Sequence, residues 1–145
     1  MRKKMFLIPV ILALFVLAQA VPYGRNHSDP PVTNTVAWDS EQTRSLFAKA
    51  CADCHSNQTV WPWYSNVAPV SWLVQNDVDG GRGELNISVS ARRVDKLAGA
   101  VRDGEMPPLQ YKLAHPGARL SSPDKQALIA GLEATFGAVG PGSRN

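Results

Sequence analysis

Cys51, Cys54 and His55 form the one cluster in this 145-residue chain whose residue types and spacing specify a chemistry. Cys51-Ala52-Asp53-Cys54-His55 has the spacing used for covalent haem attachment. Each cysteine sulfur can add across one vinyl group to make a thioether, and the next residue brings an imidazole beneath the iron. One short segment thereby fixes both the macrocycle and its proximal ligand. Competing uses of the motif are weaker. A structural zinc tetrahedron needs more ligands than two cysteines and this histidine supply, and the remaining histidines, His27 and His115, lie far away in sequence. A redox disulfide between Cys51 and Cys54 is expected on a strand-to-helix turn of an α/β fold, whereas this pair follows a helical pattern in a strand-poor chain.

Six-coordinate iron needs a second axial ligand, and Met106 is the leading candidate. Its thioether is a soft donor, and Gly104 with Pro107-Pro108 makes a constrained loop able to present it. The plainer alternative is a methionine packed in the core. His115 is the alternative ligand, although His115-Pro116 also suits a turn.

The elements that must position these residues read as helices. Asp39 suits an N-cap with Gln42 in the reciprocal position of a capping box, followed by Thr43, Leu46, Phe47 and Ala50 at helical spacing up to Cys51. Pro69 starts a second helix with Val70, Leu73, Val74 and Val78 on one face, which Gly80-Gly81-Arg82-Gly83 is expected to end. Leu85–Val89 reads as a short strand or an extended loop. Ser90 caps a third helix carrying Val94, Leu97, Ala98 and Val101, closed by Gly104. Ser121-Ser122-Pro123-Asp124 starts a fourth, with Leu128, Ile129, Leu132 and Phe136, stopped by Gly137. The expected class is all-α, about four helices with long irregular loops around one covalently bound haem.

Residues 1–20 resemble an export signal: Arg2, Lys3 and Lys4 precede a nonpolar run from Met5 to Ala18, and Ala18-Gln19-Ala20 offers a cleavage pattern before Val21. The other reading is an uncleaved membrane anchor through residues 5–21. Either exports the domain to the periplasm, as a soluble protein or tethered to the inner membrane. Residues 21–37 read as a linker, 38–137 as the haem-binding domain and 138–145 as a frayed tail. The formal charge of +3 comes from the three leader residues, which leaves as many basic as acidic side chains in the remainder. No basic run interleaved with aromatics points to nucleic acid.

The chain resembles the small exported haem-binding domain family of bacterial c-type cytochromes. The likeness rests on Cys51-Ala52-Asp53-Cys54-His55-Ser56-Asn57, Trp61-Pro62-Trp63-Tyr64-Ser65, Val67-Ala68-Pro69 and Trp72-Leu73. It continues through Gly80-Gly81-Arg82, Leu85-Asn86, Gly104-Glu105-Met106-Pro107-Pro108 and His115-Pro116-Gly117-Ala118-Arg119-Leu120-Ser121. The resemblance implies a monohaem cytochrome c-like fold with one haem c per chain, held by two thioethers. It supports Met106 as distal ligand while keeping His115 within the same recurring pattern. Relatives often have an aromatic residue after the positions of Ser88-Val89, where this chain has Ser90-Ala91. The Trp61-Pro62-Trp63-Tyr64 segment is expected to shield the haem edge or to pack the loop leading out from His55, and one of Trp61, Trp63, Tyr64 or Trp72 to donate a hydrogen bond near a propionate. Arg82 is a second propionate candidate, or a solvated charge beside a glycine turn. The function expected is one-electron transfer outside the cytoplasm with redox proteins, membrane-bound ones included. The alternatives are a small peroxidase-like haem enzyme and a haem-based sensor or accessory module of a membrane redox complex.

Overall fold

The computed structural model describes residues 7–90 and 94–137. Seven α-helices appear among them: α1 Leu7–Ala18, α2 Glu41–Ala50, α3 Ala52–His55, α4 Val70–Glu84, α5 Asp95–Asp103, α6 Leu109–Ala114 and α7 Ser122–Phe136. Two 3-10 turns, Trp63–Asn66 and Pro116–Ala118, complete the set, and no strand occurs among the described residues. The all-α class stands, but the count of about four does not. The four expected helices are α2, α4, α5 and α7. The additions are α1 and two pieces of four and six residues, α3 and α6, too short to carry a repeating apolar face.

Helix α2 begins one residue later than its sequence suggested. The Ser40 hydroxyl, not the Asp39 carboxylate, accepts the Thr43 N–H. Asp39 is occupied elsewhere, since its carboxylate accepts the Thr135 hydroxyl at 3.0 Å and so ties the start of α2 to the end of α7. The buried face of α2 is Thr43, Leu46, Phe47 and Ala50, as the spacing required. Helix α7 opens on Ser121, whose hydroxyl accepts the Asp124 N–H, and closes at Gly137 with φ 92°. Gly104, at φ 81°, closes α5 in the left-handed conformation that glycine adopts at least cost. The proposed start of α5 at Ser90 runs through residues 91–93, outside the described residues, as do Arg2–Lys4 and the tail from residue 138.

The second correction concerns α4. Its glycines do not end the helix, which runs through them to Glu84. Leu85 takes the cap position, where its N–H donates to the Gly81 carbonyl at 2.9 Å. Leu85–Val89 is then a loop: Val89 and Ser90 N–H groups turn back onto the Asn86 carbonyl, and Ile87 N–H donates to the His55 carbonyl at 3.0 Å.

A single core of Leu46, Phe47, Ala50, Cys51, Leu85, Leu97, Ala98, Val101, Leu128 and Leu132 forms where α2 and α5 pack on α7. Cys51 belongs to this core, so the attachment motif is rooted in it. Residues 21–37 have no regular secondary structure but lie along the domain: Thr33 and Asn34 N–H groups donate to the Ser88 carbonyl at 2.8 and 2.9 Å, and Asp29 pairs with Arg82 at 2.7 Å. Helix α1 leaves Leu7, Ile8, Val10, Ile11, Leu12 and Leu14 all more than half exposed. No helix among the described residues is long and apolar enough to cross a membrane.

The α2–α7 crossing depends on Gly131, where a Cβ would overlap Thr43. Gly131→Ala should cost about 1–3 kcal/mol by overpacking. Gly99→Ala on α5, whose Cβ meets nothing, should be neutral or stabilise by up to ~1 kcal/mol. Chemical denaturation of both variants compares them, and equal effects would refute the close crossing.

Candidate functional site

Cys51 ends α2, and the chain then turns directly into α3, with Cys54 and His55 N–H groups donating to the Cys51 carbonyl at 3.2 and 3.0 Å. This single turn places Cys51, Cys54 and His55 on one cavity of about 290 Å³. The α4 segment Asn76–Glu84 contributes another wall, and Met106, Pro108, Gln110 and Tyr111 close the far side. A smaller cavity of about 140 Å³ lies next to it, lined by Val70, Leu73, Val74 and Val78 of α4 with Asp53, Tyr64 and His115. Cys54, Asp77, Gln110 and Tyr111 line both.

His55 is 7 % exposed, and its Nδ1 lies 3.1 Å from both the Gly81 and the Leu85 carbonyl oxygens. A carbonyl can only accept, so the proton of the neutral ring is on Nδ1 and the lone pair is on Nε2. That is the tautomer of a metal-ligating histidine, with the second nitrogen anchored by backbone. Burial pushes the Cys51 thiol up to about 12, with Cys54 a secondary influence. Cys54 is also pushed up to about 12, by burial first and then by the nearby Asp77 and Asp53 carboxylates. Both are therefore neutral thiols at physiological pH, unlike the low-pKa thiolates of dithiol catalysts.

The two candidates for the second ligand are separated. Met106 lines the same cavity as His55, with its own N–H donating to the Ala100 carbonyl at 3.1 Å. His115 lines the neighbouring cavity, and both its nitrogens have partners: Nε2 lies 3.3 Å from the Tyr64 hydroxyl and Nδ1 lies 3.2 Å from the Tyr111 carbonyl. Its ring stacks on Tyr111 with centroids 4.1 Å apart.

The aromatic residues do not gather on the larger cavity. Tyr64 lines the smaller one. Trp63 is 79 % exposed. Trp61 stacks on His27 and donates its Nε1–H to Asp29 at 3.3 Å. Trp72 is half-buried, with an enclosed Nε1 that has no hydrogen-bond partner among the described residues. Arg82 lines neither of these cavities: its guanidinium donates to the Ser56 and Ser28 carbonyls, the Thr59 hydroxyl and the Asp29 carboxylate. A charge so fully committed is a tie between residues 28–29, 56–59 and α4.

The profile of the haem-binding domain matches residues 13–134. The chain belongs to that family. No curated protein matches the chain, and no solved structure does. A c-type haem site needs an attachment segment and a metal-binding base beside a cavity, and Cys51, Cys54 and His55 on the cavity of about 290 Å³ are consistent with it.

The attachment segment also has a partner without any sequence signal. Tyr111 donates to Asp53 at 2.6 Å across 58 positions of chain. Burial, and next the carboxylate it serves, raises the Tyr111 phenol well above its ordinary value. Asp53 stands between the two cysteines, but only the tertiary fold brings Tyr111 to it.

Gly81 is the site's steric requirement, because a Cβ there would overlap the Cys54 backbone. Gly81→Ala should destabilise the holoprotein by about 1–3 kcal/mol and weaken the His55 bonds. Gly83→Ala, whose Cβ meets nothing, serves as control. Thermal melts of haem-loaded samples check this, and equal melting temperatures for the two variants would contradict it.

Proposed function

We propose that this haem-binding domain is an exported monohaem c-type cytochrome with a cytochrome c-like fold that passes single electrons between redox proteins outside the cytoplasm. The observation that carries the reading is a His55 ring with its Nε2 lone pair free, beside both cysteines, on a cavity that Met106 also lines. Haem bound there would supply reversible one-electron iron chemistry.

The chain's own residues have distinct tasks. Cys51 and Cys54 would form the thioethers and His55 would supply Nε2 to the iron, while the Gly81 and Leu85 carbonyls hold that ring in its tautomer. Met106 would supply the second iron ligand. His115, whose nitrogens are already bonded, braces Tyr64 and Tyr111. A soft thioether opposite a histidine favours electron transfer over peroxide activation, which needs an open distal position. It equally disfavours a gas-sensing role.

The apolar N-terminal segment, residues 5–21, anchors the domain at the membrane, with α1 within it. Its side chains are apolar on every side, as suits a lipid environment. The Gln19 carboxamide bonds both the N–H and the carbonyl of Ala68, at 3.1 and 2.9 Å, and accepts from Arg25. Cleavage before Val21 would discard that clip, and the family match itself begins inside α1.

Intact mass and visible spectroscopy of protein expressed with a haem-attachment system test both parts. The mass should rise by one haem and retain residues 1–20; a mature N-terminus at Val21 would overturn the tether. Ferric wild type should show the methionine-to-iron charge-transfer band. Met106→Ala should abolish it while His115→Ala keeps it, and the reverse result would transfer the ligand role to His115. Lack of a reversible one-electron couple would refute electron transfer itself.

A further inference from the structure

Helix α6 follows Met106-Pro107-Pro108 directly and closes the far side of the cavity that His55 lines, yet among the described residues it packs against no other α-helix. Its one helical neighbour is the 3-10 turn that succeeds it. Leu109 and Leu113, its aliphatic side chains, are 67 % and 65 % exposed. Apolar burial therefore does little to hold α6 in place.

What joins it to the rest of the domain is a set of side-chain hydrogen bonds reaching across the cavities. The Tyr111 hydroxyl donates to Asp53 Oδ2 at 2.6 Å, Gln110 Nε2 donates to Asp77 at 3.3 Å, and His115 meets the Tyr64 hydroxyl at 3.3 Å. The first is the shortest, its acceptor is a carboxylate, and it is the one that ends on the attachment segment itself. Asp53 is in turn fixed, because its other oxygen accepts the Val60 N–H at 3.0 Å. Met106 thus has unequal supports. On its N-terminal side α5 is packed into the core against α7, and the Met106 N–H is bonded to Ala100. On its C-terminal side lies only the latched α6.

We propose that Tyr111, bonded to Asp53, is the positioning residue that holds α6 closed and thereby keeps Met106 on the iron. The proposal rests on the assignment of Met106 as distal ligand. A hydrogen bond to a charged group shifts an equilibrium by roughly tenfold or more, so removing it should release α6 and open the distal position.

The test uses the full-length holoprotein and carbon monoxide as probe. In wild type the ferric methionine-to-iron band should be present and the ferrous protein should bind carbon monoxide slowly. Tyr111→Phe and Asp53→Ala should lose most of the band and bind carbon monoxide at least about tenfold faster. Asp53→Asn should restore wild-type behaviour, because an amide can accept the Val60 N–H with its oxygen and donate to the Tyr111 oxygen with its nitrogen. A general loss of packing would give no such rescue.

If wild type and every variant keep the band and the slow binding, the latch is refuted while the ligand assignment survives. If wild type has no band, the assignment of Met106 fails and the latch fails with it. Should Tyr111→Phe not accumulate with haem, urea titration of wild type decides. The latch requires the band to disappear at lower urea than the helical circular dichroism, and coincident loss overturns it.

Discussion

The grip of the Gly81 and Leu85 carbonyls on His55 Nδ1 is the constraint on which the rest of the domain depends. Both acceptors come from the last turn of α4 and its cap, and the Gly81 carbonyl accepts the Leu85 N–H as well as facing the ring. To offer them, α4 must press its end against α3 so closely that only glycine fits at 81. The loop that follows must then fold back, and it does so through the Ile87 N–H on the His55 carbonyl. His55 is held at its ring and at its backbone by two parts of the same segment. An imidazole fixed in this way presents Nε2 at a set position before any cofactor arrives, which is preorganisation of a ligand.

A small domain with a cavity at its centre has little apolar surface to bury, and polar ties take over where the core ends. Arg82 joins residues 28–29 to 56–59, and a chain of amide and hydroxyl contacts links Asn57, Asn86 and Ser88. Asn34 adds a bond to the Ile87 carbonyl at 2.8 Å, so residues 21–37 brace the loop that braces His55. These groups sit behind the proximal ligand. Their work is to keep the Leu85–Ser88 loop from swinging away, and the buried Asn57 and Ser88 have their hydrogen-bonding capacity used in doing so.

The two faces of the cavity are consequently built from different materials. The proximal face is backbone and core: Cys51 is part of the apolar cluster, and the glycine contact admits no slack. The distal face is a turn between a packed helix and an unpacked one. Local opening free energies follow buried contacts and the exposure of hydrogen bonds, so movement in this domain should begin at α6, well before the attachment segment yields. A haem attached at Cys51 and Cys54 would thereby be insulated from movement at α6.

Much of this was legible in the sequence. Cys51, Cys54 and His55 declared their chemistry through spacing, because covalent attachment and proximal ligation are local acts within five residues. Helices α2, α5 and α7 showed themselves through apolar repeats and capping residues, which are local as well. The sequence misled where a residue had two uses. The glycines of α4 read as a stop, yet Gly81 serves a close contact with Cys54. Asp39 read as a cap, yet it bonds Thr135 on another helix. Arg82 read either as a propionate partner or as a solvated charge beside a glycine turn, and in the fold its guanidinium has four protein acceptors. The separation of Met106 from His115 into two cavities and the Tyr111–Asp53 bond had no trace in sequence, since each is decided by contacts with segments distant along the chain. The sequence alone therefore determined which atoms can attach a haem and bind its iron from one side. The tertiary structure decided which nitrogen of His55 is free, which far-side residue shares its cavity and which side chains bond that far side to the attachment segment, because those properties belong to contacts between segments and not to any segment by itself.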